Sequence, residues 1–219
     1  MRFGSSIIAC GLAMALLLFA DRRPVARPRE RYSQVLDLTR TARAKAGSER
    51  NAGTRIISPG AMIPGTWGAA QIPAERLIAP LVVMDLNTPT ARISVDDIAN
   101  WEAKHGNVPQ GAIVAVRRAG PTHSYSSDQF PVSADAAQFL MDARYTRGFI
   151  VESPASLGSD RTLSLQIALH GNYVVEESTP LAALPETGSL VIVAPEKDSK
   201  AAESPVRVLA MVPATAHGA

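Results

Sequence analysis

The residues of this 219-residue chain best suited to acid–base or metal chemistry are four histidines and one cysteine. His105 and His170 each precede a glycine, a position typical of a helix end. His123 lies in a polar segment with no histidine four residues away, and His217 lies in the C-terminal tail. The chain contains no His-Glu-x-x-His, no glycine-rich phosphate loop and no Gly-x-Ser-x-Gly. These residues therefore predict neither a helical zinc site nor a serine nucleophile on a sharp turn.

A different kind of site is indicated by the segment from residue 51 to residue 61, which reads Asn51-Ala52-Gly53-Thr54-Arg55-Ile56-Ile57-Ser58-Pro59-Gly60-Ala61. It resembles the motif H-x-G-T-H-x-D-x-P-x-H of the cyclase family of metal-dependent hydrolases. That family includes the bacterial kynurenine formamidases (arylformamidases) of tryptophan catabolism. Three positions fit the motif: Gly53, Thr54 and Pro59. The four ligand positions hold other residues: Asn51, Arg55, Ile57 and Ala61.

The resemblance continues along the chain in the family's order. Asp37-Leu38-Thr39 is similar to the family's opening segment, and residues 71–85 are similar to the stretch that leads into a central strand. Residues 94–111 resemble its helix and following turn, and Ser204-Pro205-Val206-Arg207 resembles its closing strand. The resemblance covers roughly residues 35–212 and implies a swivelling β/β/α fold. It also implies a homo-oligomer, either a dimer or a tetramer.

In the family, imidazoles and a carboxylate hold one or two divalent ions, which lower the pKa of bound water and polarise the substrate carbonyl. A further histidine and glutamate, twelve residues apart, complete that site. The resemblance places Glu176 at the glutamate and Ser164 at the histidine. We refer to the corresponding residues of this chain as the six ligand positions: Asn51, Arg55, Ile57, Ala61, Ser164 and Glu176. Glu176 alone keeps the family's residue, so no catalytic residue and no metal ligand set is predicted.

The replacements are unfavourable for a cation. Arg55 carries a permanent positive charge, since a guanidinium does not lose its proton in proteins. Ile57 and Ala61 have no side-chain lone pair, and Asn51 and Ser164 offer only neutral oxygen atoms. We therefore predict that no metal cofactor is bound. We also predict that Arg55 pairs with Glu176, with their charged groups within about 6 Å as an ion pair requires.

Three functions remain open from the sequence. The first is a cyclase-family protein that has lost metal-dependent hydrolysis and keeps the fold to bind a small molecule or another subunit. The second is an active amide hydrolase of the arylformamidase (N-formylkynurenine) class, with Zn²⁺ or Mn²⁺ held by non-standard ligands. The third is a decaying or truncated gene product.

Some other residues have a structural and a functional interpretation. Glu152 is either a polar strand end or a pocket-lining residue. Trp67 and Trp101 are predicted to pack in the core or an interface. Arg207 is predicted to anchor a loop.

Charge is distributed unevenly along the chain. The net charge is +2, yet nine of the 22 Lys and Arg residues lie between Arg22 and Arg50. The remainder is slightly acidic, which argues against a nucleic-acid-binding face. With 46% hydrophobic residues, the chain is long enough for one sizeable core.

The N-terminal segment has the pattern of a targeting sequence. Its apolar run, residues 7–20, is short for a membrane span and suits a signal-peptide core, although Arg22 and Arg23 follow at once. Four segments are predicted: a signal peptide or membrane anchor at 1–20, a basic Pro/Arg-rich linker at 21–34, a cyclase-like domain at 35–213 and a tail at 214–219. The protein is expected to be exported to the periplasm or anchored at the inner membrane, with a possible N-terminal membrane contact. It would be cytoplasmic if this segment is not a signal.

Hydrophobic runs and helix caps predict a single α/β domain with a mixed sheet. Strands are expected at 35–39, 81–86, 111–117, 148–152, 173–176, 190–194 and 206–211. Ser94 and Ser133 are expected to cap helices, Gly106 to end the first of them in a left-handed conformation, and residues 165–169 to be helical. Five residues are expected on the buried face of the second helix: Ala136, Ala137, Phe139, Leu140 and Ala143.

Overall fold

The computed structural model describes residues 32–41, 53–86, 92–118, 129–152, 160–179, 181–197 and 201–214. The predicted signal or anchor segment lies outside these residues, and so do Asn51, His123 and His217. Within the described part of the chain, no helix is both long and apolar enough to cross a bilayer.

Four parallel strands form the centre of the sheet: β3 (Ile78–Leu86), β4 (Ile113–Arg118), β5 (Gly148–Val151) and β6 (Tyr173–Glu176). Each consecutive pair is connected through a helix, namely α1 (Val95–His105), α2 (Ala134–Arg144) and α3 (Arg161–Leu169). All four strands therefore end at the same edge of the sheet, which we call the carboxyl edge. In open α/β sheets this edge is where ligands bind.

Antiparallel strands complete the sheet: β1 (Tyr32–Asp37), β2 (Arg55–Ile57), β7 (Ser189–Pro195) and β8 (Glu203–Pro213). β7 pairs with β3 and β8, while β8 pairs with β2, and β2 pairs with β6. These pairings close seven strands into a barrel-like ring in the order β8-β2-β6-β5-β4-β3-β7, and β1 adds to β8. The predicted α/β domain with a mixed sheet is confirmed.

Side chains alternate between two apolar clusters because successive residues of a strand point to opposite faces. The inner cluster fills the ring and includes Ile56, Val83, Ala115, Ile150 and Val208. The helix-facing cluster lies between the sheet and the three helices and includes Ile57, Val114, Phe149, Val174 and Leu163. Alternation therefore assigns Arg55, Ile57 and Glu176 to the helix-facing side of the sheet.

The helix starts follow local sequence. The Ser94 hydroxyl accepts the Asp97 amide hydrogen, and the Asp97 carboxylate accepts the Ser94 amide hydrogen at 2.9 Å, which is a capping box. Ser133 caps α2 through the Ala136 amide, and Asp160 caps α3 through the Leu163 amide. The capping predictions for Ser94 and Ser133 are confirmed.

Three details differ from the predictions. Gly106 ends α1 with φ 82° but ψ 174°, so its conformation is extended in ψ rather than left-handed helical. On α2, Met141 is buried, whereas Phe139 and Ala143 are only partly buried. β1 begins at Tyr32 and ends at Asp37, because Asp37 pairs with Leu209 and Tyr32 with Pro213 along β8. In each case a partner distant in sequence determines the geometry.

Candidate functional site

The site predicted from the sequence lies where β2 meets β6. The two strands are antiparallel, and Arg55, the first residue of β2, is the register partner of Glu176, the last residue of β6. Because β6 belongs to the parallel set, both side chains lie at the carboxyl edge. The register thus brings together two of the six ligand positions.

The predicted ion pair between these residues is present. Arg55 Nε lies 3.7 Å from Glu176 Oε1, within the expected limit of about 6 Å. Arg55 also donates a hydrogen bond to Glu203 at the start of β8. The Glu176 side chain is only 9% exposed, against 44% for Glu203. One guanidinium is therefore shared between an enclosed carboxylate and a surface carboxylate.

Ile57, two residues further along β2, has a different environment. It is 8% exposed and belongs to the helix-facing cluster with Leu163, Ile167 and Val174. The position at which the family motif carries a metal-binding carboxylate is therefore part of the apolar core in this chain.

Ser164 and Ala61 lie on neighbouring elements. Ala61 is exposed at the end of the short 3₁₀ turn Pro59–Ala61, and this turn packs against α3, which carries Ser164. Ser164 is buried, and its hydroxyl donates to the Asp160 carbonyl at 2.8 Å. That hydroxyl is thus engaged in the first turn of its own helix, as helical serines commonly are.

Glu177 is a member of the site that sequence reasoning missed. Its backbone φ is 54°, in the left-handed region, and the residue is 8% exposed. Burial raises the pKa of its carboxyl group, while Arg40 and Arg55 act in the opposite direction. Two consecutive acidic residues directly after a buried apolar strand were the available sequence signal, although nothing local indicated that both would be enclosed.

Two residues before β2 hold this region together. The Thr54 hydroxyl donates to the Glu177 carbonyl at 2.7 Å and accepts the Arg40 amide hydrogen at 2.7 Å. The Arg40 guanidinium donates to the Ser178 carbonyl at 2.9 Å. Thr54 is one of the three residues that fit the family motif, and here it connects the segment after β1 to the end of β6.

Glu152 has a backbone-binding role. Its carboxylate accepts the Leu181 amide hydrogen at 2.6 Å and the Arg118 amide hydrogen at 3.1 Å, and the residue is 7% exposed. Both oxygen atoms are therefore used to join β4 to the segment that precedes β7. Of its two interpretations, this geometry matches the polar strand end.

The remaining residues singled out from the sequence lie elsewhere. Trp101 is buried and donates from its indole nitrogen to the Val83 carbonyl at 3.0 Å, whereas Trp67 is partly exposed. Arg207 pairs with Asp37 at 3.0 Å, at the end of β1. His105 contacts Glu186, and His170 pairs with Asp142 at 2.8 Å. Neither histidine is part of the β2–β6 junction.

A cavity of about 450 Å³ lies between α1 and the end of β3. Asp85, Trp101 and Glu186 are among its lining residues. It is lined by none of the six ligand positions.

The residues present at the ligand positions do not suit a divalent cation. Within the described ranges, no group of three or more His, Cys, Asp or Glu side chains could hold a metal ion. Arg55 brings a permanent positive charge, Ile57 is apolar and buried, and the Ser164 proton is directed to a carbonyl. Glu176 supplies the one carboxylate among the described ligand positions, and it faces a guanidinium.

Comparisons with known proteins agree with the fold. The model of the Cyclase family matches residues 20–156, a range that ends before Ser164 and Glu176. The isatin hydrolase of Roseibium aggregatum is 27% identical over 161 residues. That match spans 64% of this chain and 61% of the relative's length.

Two solved structures share the architecture. Isatin hydrolase A from Labrenzia aggregata bound to benzyl benzoate superposes with a TM-score of 0.64 at 23% identity, over 94% of this chain and 100% of that one. A structure described as a potential metal-dependent hydrolase with cyclase activity has a TM-score of 0.61 at 24% identity, over 81% of this chain and 96% of that one. The closed mixed sheet is therefore a shared fold, as the sequence resemblance implied.

Proposed function

This chain belongs to the Cyclase family, and from that premise we propose that it is a hydrolase-like protein that binds a small molecule without hydrolysing it. The proposed ligand is a lactam or an aryl amide, bound at the carboxyl edge near the β2–β6 junction. The proposal has three supports: the charge at Arg55, the burial of Ile57 and the identity of the relatives.

The observation that carries the proposal is the pairing of Arg55 with Glu176 at 3.7 Å. A divalent ion placed about 4 Å from a guanidinium would be repelled by roughly 8 kcal/mol at an effective dielectric constant near 20. That repulsion corresponds to a loss of about a millionfold in affinity. The carboxylate that could attract a cation is already compensated by a side chain of the same protein.

The burial of Ile57 supports the same conclusion. A carboxylate at this position would have to be enclosed among Leu163, Ile167 and Val174, where an ionised group is costly. Restoring the family's residue would therefore require the helix-facing cluster to repack.

The relatives indicate the ligand class. Two of those compared are named isatin hydrolases, and isatin is a five-membered lactam fused to an aromatic ring. Carboxylate and guanidinium groups are complementary to the N–H and C=O groups of such a lactam, respectively. The β2–β6 junction contains both kinds of group.

The proposal is tested with the full chain, incubated separately with ZnCl₂ and MnCl₂, desalted, and analysed for bound metal by mass spectrometry. The same samples are assayed for hydrolysis of isatin and of an aryl formamide, with an isatin hydrolase as the positive control. We expect less than stoichiometric metal and no metal-dependent turnover. Stoichiometric metal, together with turnover that a chelator stops, would disprove the proposal.

The alternative is an active metal-dependent amide hydrolase that uses Zn²⁺ or Mn²⁺ with non-standard ligands. One observation favours it, namely that three carboxylates lie around Arg55: Glu176, Glu177 and Glu203. The alternative predicts that Arg55→Ala increases metal uptake and turnover in the same assays, because the competing cation is removed. If Arg55→Ala takes up no more metal than the wild type, this alternative is excluded.

A further inference from the structure

Glu177 has a backbone conformation that is unfavourable for glutamate. Its φ of 54° lies in the left-handed region, where the Cβ atom of any residue other than glycine crowds the backbone. Residues held in such conformations cluster at ligand-binding and active sites, where the surrounding structure enforces them. Glu177 therefore merits a functional explanation.

The surrounding structure does enforce this conformation. The Glu177 carbonyl accepts the Thr54 hydroxyl at 2.7 Å, and the next amide, of Ser178, donates to the Val151 carbonyl at 3.2 Å. The Ser178 carbonyl in turn accepts the Arg40 guanidinium at 2.9 Å. Hydrogen bonds on both sides of the residue thus fix the backbone independently of the Glu177 side chain.

The Glu177 carboxylate has no such partners. The residue is 8% exposed, yet among the described residues its carboxylate takes part in no hydrogen bond and no ion pair within 4 Å. Arg40 and Arg55 act on it only electrostatically. Buried polar groups are nearly always hydrogen-bonded, so an enclosed carboxylate without a donor indicates a group reserved for something that binds.

We infer that Glu177 contacts the ligand, and that its carboxylate accepts a hydrogen bond from the N–H of a lactam or aryl amide. This inference rests on the proposed function, because it uses the ligand class proposed there. A site that hydrogen-bonds a ligand N–H discriminates against an analogue without it, since the buried acceptor is then left unpaired. Glu177 is thereby assigned as the residue that selects for a free N–H.

The experiment compares isatin with N-methylisatin, which lacks the lactam hydrogen, by isothermal titration calorimetry on the full chain. The variants are Glu177→Gly, which fits the left-handed backbone, and Glu177→Gln, which keeps a neutral acceptor. The matched control is Tyr145→Gly, at the other non-glycine residue with positive φ among those described (φ 52°), which is exposed.

Wild type is expected to bind isatin at least about tenfold more tightly than N-methylisatin, as one hydrogen bond to a charged group implies. Glu177→Gly should reduce this ratio to within about twofold, Glu177→Gln should give an intermediate ratio, and Tyr145→Gly should leave it unchanged. Both glycine variants should raise the Tm by about 2–4 °C, so loss of selectivity cannot be attributed to unfolding.

The inference is overturned if wild type binds neither compound, binds both equally, or keeps its preference in Glu177→Gly. Failure of the proposed function is a separate result, namely metal-dependent turnover of isatin. In that case the same N–H preference is measured as the ratio of kcat/KM values for the two lactams, and Glu177→Gly should still abolish it.

Discussion

At the α1–α2 junction, Arg144 binds Glu102 through two hydrogen bonds of 2.7 and 2.8 Å, and Glu102 also accepts the Val108 amide hydrogen at 2.8 Å. At the β2–β6 junction, Arg55 approaches Glu176 only to 3.7 Å and divides its charge with Glu203. The first pair has the bidentate geometry of a strong structural contact. The second is loose, although its glutamate is the more enclosed of the two.

Each pair is followed by a left-handed residue, and these differ in the same way. Tyr145 follows Arg144, ends α2 and is 64% exposed, with its amide bonded to the Leu140 carbonyl. Glu177 follows Glu176 and is 8% exposed, with no donor to its carboxylate among the described residues. A left-handed residue at a helix end is a common way to satisfy helix carbonyls. The contrast teaches that one junction is optimised for stability and the other retains unmet binding capacity.

The largest expected effect comes from Ile57→Asp, which places the family's carboxylate in the β2–β6 junction. We expect a loss of more than about 3 kcal/mol of unfolding free energy, because Ile57 is buried in the helix-facing cluster. Thermal or urea unfolding measures it, with Ile57→Val as the control at about 1 kcal/mol. An Ile57→Asp variant as stable as wild type would show that this position still accommodates a metal ligand.

Next in size is Glu102→Gln at the α1–α2 junction, where we expect a loss of about 2 kcal/mol. Glu176→Gln, the matched change at the looser pair, should cost less than about 1 kcal/mol. Urea unfolding of both variants at pH 7 gives the comparison. Equal losses would mean that the two junctions do not differ in the way their geometry indicates.

The Glu102 pair also predicts a pH dependence. The hydrogen bonds from Arg144 hold the pKa of Glu102 below its usual value. The stabilisation is therefore present above the unfolded pKa and is lost as the pH falls through the lower folded pKa. The stability difference between wild type and Glu102→Gln should shrink when unfolding is measured at pH 3 rather than pH 7.

A smaller effect of opposite sign is expected at the two left-handed residues. Tyr145→Gly and Glu177→Gly should each stabilise the fold by about 1 kcal/mol, because glycine removes the crowding of Cβ. Differential scanning calorimetry measures both. Destabilisation by Glu177→Gly alone would show that its side chain supports the fold.

The smallest effect concerns the charge of Glu177. Burial raises the pKa of this carboxyl, so its contribution to stability is fully present below the unfolded pKa and is lost as the pH rises through the folded pKa. Glu177→Gln should therefore be slightly more stable than wild type at pH 7, by less than about 0.5 kcal/mol, and equal to it near pH 4. The reverse order at pH 7 would indicate that the carboxylate has a stabilising partner.

Much of the fold was predictable from local patterns. Continuous apolar runs identified β3 and β4, and Ser94 with Asp97 marked the start of α1. The buried face of α2 was partly mispredicted because Met141, rather than Ala143, points into the helix-facing cluster. Periodicity gives the face of an isolated helix, but its rotation depends on the sheet and the neighbouring helix against which it packs.

For the candidate site, the family motif made Arg55 and Glu176 predictable as neighbours, and the structure places them in register. Glu177 was not predictable as a site residue. Its left-handed backbone arises from contacts with Thr54 and Val151, and no pattern around residue 177 reveals these.

Residue types and short-range spacing are enough to establish where helices start, which strands are buried on both faces and which side chains replace the family's metal ligands. These features depend on interactions within a few residues, so they can be derived from the chain alone. The pairing of β2 with β6 and β8, the enclosure of Ile57 and the unpartnered carboxylate of Glu177 depend on contacts between distant segments. They exist only once the sheet has closed, because closure sets the register that brings these groups together.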